Sequence, residues 1–207
     1  QKEARDSGIE IIQLARVVSV RGRRKVSVVD IVCGASSLKR RIKCDLVAVA
    51  GGWNPAVHLY SQSGGKPVYN SEIQSFVPGK SVQMECSVGA CRGELTLHGA
   101  LDEGIEAGRV AARLCGYAEV NVSAPHCNPE FDTVVDPVWD CSLVGSRDSA
   151  FIDFNNDVTS ADIRLAFREG YRSVEHVKRY TTAGMGIDQG KTSSVSIIGL
   201  IAEIAGV

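Results

Sequence analysis

Leu46-Val47-Ala48-Val49-Ala50 runs straight into Gly51-Gly52-Trp53-Asn54-Pro55. A short, unbroken apolar run of this kind is the pattern of a strand buried on both faces in a parallel sheet. Two glycines at its carboxyl end permit a sharp turn and let a ligand approach the backbone closely. In open α/β sheets, ligands sit just beyond the carboxyl ends of strands. The stretch therefore predicts an α/β fold and makes Gly51, Gly52, Trp53, Asn54 and Pro55, with nearby His58, candidate cofactor-binding residues. A tight turn in which Trp53 only packs is the competing reading, and both stand at this point.

Towards the N-terminus, residues 9–20 and 26–32 are rich in β-branched side chains and flank Arg21-Gly22-Arg23. They predict a hairpin, with residues 41–43 adding a short third piece. Towards the C-terminus, Gly64-Gly65-Lys66-Pro67 and Phe76-Val77-Pro78-Gly79 are turn signals, and Ser87-Val88-Gly89-Ala90 reads as a short strand exit. Residues 96–115 predict a helix with Gly116 as its cap. That helix carries Gly99, Ala100, Gly104, Ala107, Gly108, Ala111 and Ala112. Each helical glycine costs about 1 kcal/mol against alanine, so close packing against a sheet or cofactor is expected.

Residues 117–150 hold Pro125, Pro129 and Pro137 and few periodic apolar positions, the pattern of an extended connector. A helical module follows from about 151. Thr159-x-x-Asp162 approximates a capping box for a helix over 162–169, ended by Gly170. Ser173 caps a second helix, and a third begins near Ser194. Ile163, Phe167, Val177, Ile198 and Leu200 are its expected core, with Arg172, Lys178, Arg179 and Lys191 facing solvent or a partner. The expected layout is a dinucleotide-type domain over 1–116, a connector over 117–150 and a small helical domain over 151–207.

Composition narrows the function classes. A hydrophobic share of 44% is enough for a packed core. The formal net charge of −1 gives no argument for nucleic acid as a partner. The cations at 21, 23, 24 and 25 and at 39, 40, 41 and 43 lie between strand-like runs and read as a solvated face. No run is long enough to span a membrane, and the N-terminus lacks the apolar stretch of a signal peptide. Seven scattered cysteines fit a reducing compartment, so a cytoplasmic protein is expected.

Motifs for chemistry are sparse. Asp188-Gln189-Gly190-Lys191-Thr192 ends like a phosphate-binding loop, but Met185 stands where the first glycine belongs. No cysteine or histidine spacing suggests a metal site. The four histidines, at 58, 98, 126 and 176, have no orienting partner legible in sequence, so no catalytic residue is assigned. Gly-x-Gly-x-x-Gly is missing too. These look like late pieces of a dinucleotide domain, so the chain is expected to be a section of a longer polypeptide, inactive alone, with uncovered apolar edges that favour self-association.

Two longer stretches carry a resemblance. Residues 44–59, CDLVAVAGGWNPAVHL, and residues 157–182, through DVTSADIRLA and REGYRSVEHVKRYTT, strongly resemble the alpha subunits of heterotetrameric sarcosine oxidases. Related amino-acid and opine oxidases and dehydrogenases are similar as well. The resemblance implies a complex of alpha, beta, gamma and delta subunits that demethylates sarcosine oxidatively to glycine. Hydrogen peroxide is released, and the one-carbon unit leaves as formaldehyde or passes to tetrahydrofolate. It implies NAD on the alpha subunit, FAD on beta, FMN near the alpha–beta interface and zinc on a small subunit.

Two departures follow from the resemblance. Where related flavoproteins carry a Gly-Asp pair, this chain has Val88-Gly89-Ala90, so Gly89 and Ala90 remain candidate cofactor contacts through backbone only. The C-terminal module is similar to a small two-iron two-sulfur domain of related dehydrogenases. Its four cysteine positions hold Asp153, Asn155, Asp188 and Ser193 here. A two-iron cluster is normally held by four thiolates, so no iron–sulfur cluster is expected.

Overall fold

The computed structural model describes residues 2–34, 38–118, 120–127, 136–141 and 149–207. The chain divides into two compact units, Gln1–Ala50 with Val138–Val207 and Gly51–Pro137. Part of the expected connector, residues 119, 128–135 and 142–148, lies outside the described residues.

The first unit opens with a short helix α1 (Lys2–Asp6) and a three-stranded antiparallel sheet: β1 (Ala15–Gly22), β2 (Val26–Cys33) and β3 (Lys39–Lys43), in the order β1-β2-β3. The expected hairpin and third strand are present, but pairing begins at Ala15 rather than in residues 9–14. Arg23, Arg24 and Lys25 make the turn between the paired Gly22 and Val26. A Cβ at Gly22 would collide with the Lys25 carbonyl. The central strand is the buried one, with Val29, Asp30, Ile31 and Val32 at or below 6% exposure.

The C-terminal part of this unit holds a small hairpin, β6 (Phe151–Asp153) with β7 (Val158–Thr159), and three helices: α4 (Ser160–Arg168), α5 (Val174–Thr181) and α6 (Ser194–Ala205). Thr159 and Asp162 form the complete capping box of α4, and Ser173 caps α5. Gly170 adopts φ +100, the left-handed turn that stops α4. The core gathers Val158, Ile163, Ala166, Val177, Ala183, Ile197, Leu200 and Ile201, with Phe167 and Trp139 against it. Ile198 is a correction: it is only half-buried, because Ile197, about 100° away around the helix, takes the inward position. Trp139 corrects the picture of a surface connector, since its ring lies on Gly199 of α6.

The second unit contains α2 (His58–Gln62), the hairpin β4 (Val68–Asn70) with β5 (Ser75–Val77), a 3-10 turn (Gly89–Cys91) and α3 (Leu97–Leu114). The α3 boundaries match expectation, with Thr96 capping its start and Gly116 at φ +81 after its end. Its small residues do not match: no α3 residue is buried, and a Cβ at Gly104 or Gly108 would meet nothing within 4 Å.

Among the described residues every strand pair is antiparallel. The parallel strand expected at Leu46–Ala50 is not formed; Leu46 is 77% and Val49 86% exposed. An apolar run becomes a buried strand only where neighbours supply hydrogen bonds and cover both faces, and no described strand pairs with this one. The strand exit expected at residues 87–90 is likewise a 3-10 turn, because Gly89 turns the backbone at φ +65.

Candidate functional site

Gly51, Gly52, Trp53 and Asn54 are exposed, and Trp53 keeps 83% of its surface. Gly52 sits at φ +94, a conformation that side chains disfavour. The stretch is anchored at two points. Pro55 is buried, and Asn54 Oδ1 accepts the hydroxyl of buried Ser75 at 3.0 Å. His58 is the exposed first residue of α2, whose buried Tyr60 donates to the Lys80 carbonyl at 2.9 Å. Gly65 lies directly under the Tyr60 ring, where a Cβ would collide with it. These candidates thus follow an unpaired segment rather than the end of a strand.

Gly89 and Ala90 lie in the 3-10 turn before α3. The Gly89 N–H is already engaged: Glu103 of α3 accepts it at 2.7 Å, and Arg92 donates to the other Glu103 oxygen at 3.3 Å. The start of α3 is similarly filled. Glu94 Oε1 accepts the Thr96 hydroxyl at 2.5 Å and the Thr96 N–H at 2.9 Å. These bonds, the hydroxyl's first, hold the Glu94 carboxyl below its ordinary pKa. Glu94 and Glu103 were not singled out from sequence. Glu103 lies fourteen positions from Gly89, and only the intervening turn brings the two together.

Beside α3 runs an apolar groove of about 660 Å³, walled by Met84, Val88, Val110, Ala111 and Leu114. A second hollow of about 310 Å³, in the other unit, is lined by Trp139, Cys141, Phe151, Ser160 and Thr192. Burial pushes the Cys141 thiol above its ordinary pKa, which makes it a weaker nucleophile. Cys86, Cys115, Glu103 and Glu106 also line the groove beside α3; the Cys86 thiol donates to the Ser87 carbonyl, and Glu103 is taken by the Gly89 N–H and Arg92. His98 pairs with Asp102 at 3.2 Å on an exposed helix face, with nothing further aligned.

In the C-terminal module, Asp153 is fully buried and accepts the Gly184 N–H at 2.6 Å and the Asn155 N–H at 2.8 Å. The Asn155 side chain packs on Gly186. Asp188 accepts from the Gly190 N–H, the Thr192 N–H and the Thr192 hydroxyl. Ser193 is buried, and its Oγ has no partner among the described residues. Two of these four side chains, Asp153 and Asp188, therefore close backbone turns. Among the described residues, no group of three His, Cys, Asp or Glu side chains is placed to hold a metal. The four basic residues expected at the surface are mixed in environment. Arg172 stacks on the Phe167 ring at 4.0 Å, Lys178 and Arg179 reach Glu175, and Lys191 is exposed.

The Sarcosine oxidase A3 domain matches residues 147–207. The sarcosine oxidase subunit alpha of Rhizobium meliloti (strain 1021) is 38% identical over 95% of this chain and 20% of its own length. That of Corynebacterium sp. (strain P-1) is 39% identical over 81% of this chain and 18% of its own. The crystal structure of L-proline dehydrogenase from P. horikoshii superposes on the whole chain and 42% of its own with a TM-score of 0.64. Its identity of 18% makes this a likeness of fold alone. The chain spans about a fifth of the length of the curated relatives it matches, and it belongs with them as a homologue of one stretch of the sarcosine oxidase alpha subunit.

Proposed function

We propose that this chain is a structural section of the alpha subunit of a sarcosine-oxidising complex, working in the cytoplasm with beta, gamma and delta subunits. The carrying observation is the 38% identity to an alpha subunit across 95% of the chain. The parent reaction would convert sarcosine to glycine with release of hydrogen peroxide, using NAD held by the full alpha subunit and FAD and FMN in the complex. In this reading the chain supplies a folded support, with Gly51, Gly52, Trp53, Asn54, Pro55, His58, Gly89 and Ala90 as one wall towards a dinucleotide.

The bonds around the Gly89 turn support one wall rather than a complete pyrophosphate cradle. Such a cradle needs free N–H groups at a glycine turn and at the helix start behind it. Here Glu103 takes the Gly89 N–H and Glu94 takes the Thr96 N–H. No iron–sulfur cluster is part of the proposal, and the hydrogen bonds made by Asp153 and Asp188 support that reading. No described helix is long and apolar enough to cross a membrane.

The test is an assembly purified after coexpression of the reading frame that contains this stretch with its neighbouring frames. Peroxide release is expected with sarcosine. Release only with proline or an opine would favour a proline- or opine-dehydrogenase complex, the alternative that the fold likeness suggests. The isolated chain is expected to release none. Calorimetric titration of the isolated chain with NAD giving a stoichiometric micromolar complex would show a complete nucleotide site and sink the structural-section reading.

A further inference from the structure

One face of the β1-β2-β3 sheet is a grid of cations around a single acid. The register places Arg16 beside Val32 and Lys39, Ser19 beside Asp30 and Arg41, and Arg21 beside Val28 and Lys43. Residues paired across a ladder share a face, so Arg16, Arg21, Lys39, Arg41 and Lys43 lie on one side with Asp30 at the centre. Asp30 is 1% exposed and holds two of the cations, with Arg41 Nε at 3.0 Å and Arg21 Nε at 3.2 Å. The hairpin turn adds Arg23, Arg24 and Lys25 at the same end. The opposite face is different: Val17, Val20, Val29, Ile31 and Ile42, with Arg40 paired to Glu10 at 2.7 Å.

The strand β3 is an edge. It pairs with β2 on one side, and no described strand pairs with its other side. Its exposed Lys39, Arg41 and Lys43 repeat every second residue, about 6.8 Å apart along an antiparallel strand. Alternate side chains of an added strand repeat at the same interval. Opposite charges placed across a strand pair stabilise it and like charges oppose it.

We propose that the edge of β3 that no described strand pairs with docks an extended segment of a partner polypeptide that carries acidic residues at alternate positions, by strand addition. Main-chain hydrogen bonds would supply affinity, and Lys39, Arg41 and Lys43 would set the register against the partner's carboxylates. Asp30 orders Arg41 and Arg21 in advance, which lowers the entropy lost on binding. A second copy of this chain is a poor occupant, because β3 against β3 would set cation against cation. Nucleic acid is disfavoured too. Residues 15–43 contain no aromatic side chain on which bases could stack.

The test is fluorescence anisotropy of the 207-residue chain with labelled peptides. The probe is an octapeptide alternating valine and glutamate. One control alternates valine with lysine. A second replaces each valine by proline, which keeps the charge but breaks the main-chain ladder. The valine–glutamate peptide is expected to bind, and both controls to bind at least about tenfold more weakly. Lys39→Glu with Lys43→Glu, which leaves both Asp30 ion pairs, with Arg41 and Arg21, in place, is expected to reverse the preference towards the lysine peptide, with circular dichroism confirming that the sheet persists. Binding of the proline control as tight as the probe would reduce the surface to plain charge attraction and overturn strand addition. So would no binding of the probe, no effect of the double variant, or tighter binding of a single-stranded oligothymidylate.

Discussion

The buried carboxylate of Asp153 accepts the backbone N–H of Gly184 at 2.6 Å, tying β6 to the turn that follows α5. Its second oxygen takes the Asn155 N–H. Removing it leaves a buried donor unpaired, at about 1–3 kcal/mol per group. Asp153→Ala is therefore expected to destabilise the first unit by about 3 kcal/mol, and Asp153→Asn, which keeps one acceptor oxygen, by clearly less. Urea unfolding read by far-ultraviolet circular dichroism checks this. Equal midpoints for the two variants would mean that the Gly184 bond contributes little.

The capping box of α4 gives a second prediction. Thr159 Oγ1 accepts the Asp162 N–H, and Asp162 in return accepts the Thr159 N–H at 2.9 Å. Thr159→Ala should lower stability by about 1 kcal/mol, and Thr159→Ser should restore most of it.

The apolar run of α6 separates two neighbours. Leu200 is fully buried, whereas Ile198 is half-buried. Leu200→Ala should cost about 3 kcal/mol and Ile198→Ala about 1 kcal/mol, since the second site loses less contact and leaves no closed cavity. Similar losses at both positions would place Ile198 in the core after all.

What the sequence made legible was local. Thr159 and Asp162 are three residues apart, and Gly116 and Gly170 stop helices by their own backbone freedom, so each was readable without knowing the rest of the fold. The hairpin was readable because β-branched runs flank one glycine. Leu46–Ala50 was misread because apolarity does not reveal whether a neighbouring strand exists to cover it. Ile198 was misread because Ser194-Val195-Ser196-Ile197-Ile198-Gly199-Leu200-Ile201 is apolar on several sides and carries little helical phase. The engagement of Gly89 by Glu103 was invisible because it depends on a turn and a helix start together. Of the candidate site, sequence gave the glycines and the exposed Trp53, but not the acids that fill the N–H groups nearby.

Acid should act on this chain through its hydrogen-bonded carboxylates. The Arg41 hydrogen bond holds the Asp30 carboxyl below its ordinary value, and the Thr192 hydroxyl does the same for Asp188, helped by the Thr192 and Gly190 N–H groups. A carboxyl whose folded pKa is depressed stabilises fully above its unfolded value of about 3.9, and loses that contribution as pH falls through the folded pKa. Stability is thus expected to be flat in these groups from pH 7 to about 5 and to fall below about 4. Asp30→Asn combined with Asp188→Asn should flatten the acid limb of a urea-midpoint titration. An unchanged limb would assign acid sensitivity to other groups.

The contact of Trp139 with Gly199 sets two effects of opposite sign against each other. Alanine in place of a helical glycine gains about 1 kcal/mol. At Gly199 the new Cβ would collide with the Trp139 ring, and forcing extra volume into a packed site costs about 1–3 kcal/mol. The collision should win, so Gly199→Ala destabilises the protein by about 1 kcal/mol. In a Trp139→Ala background the ring is gone, and the same substitution should stabilise by up to about 1 kcal/mol. The chain has two tryptophans, and Trp53 is already 83% exposed. Any red shift in emission on Gly199→Ala therefore reports Trp139 leaving its seat. Stabilisation in both backgrounds, with no red shift, would mean that the ring does not rest on α6.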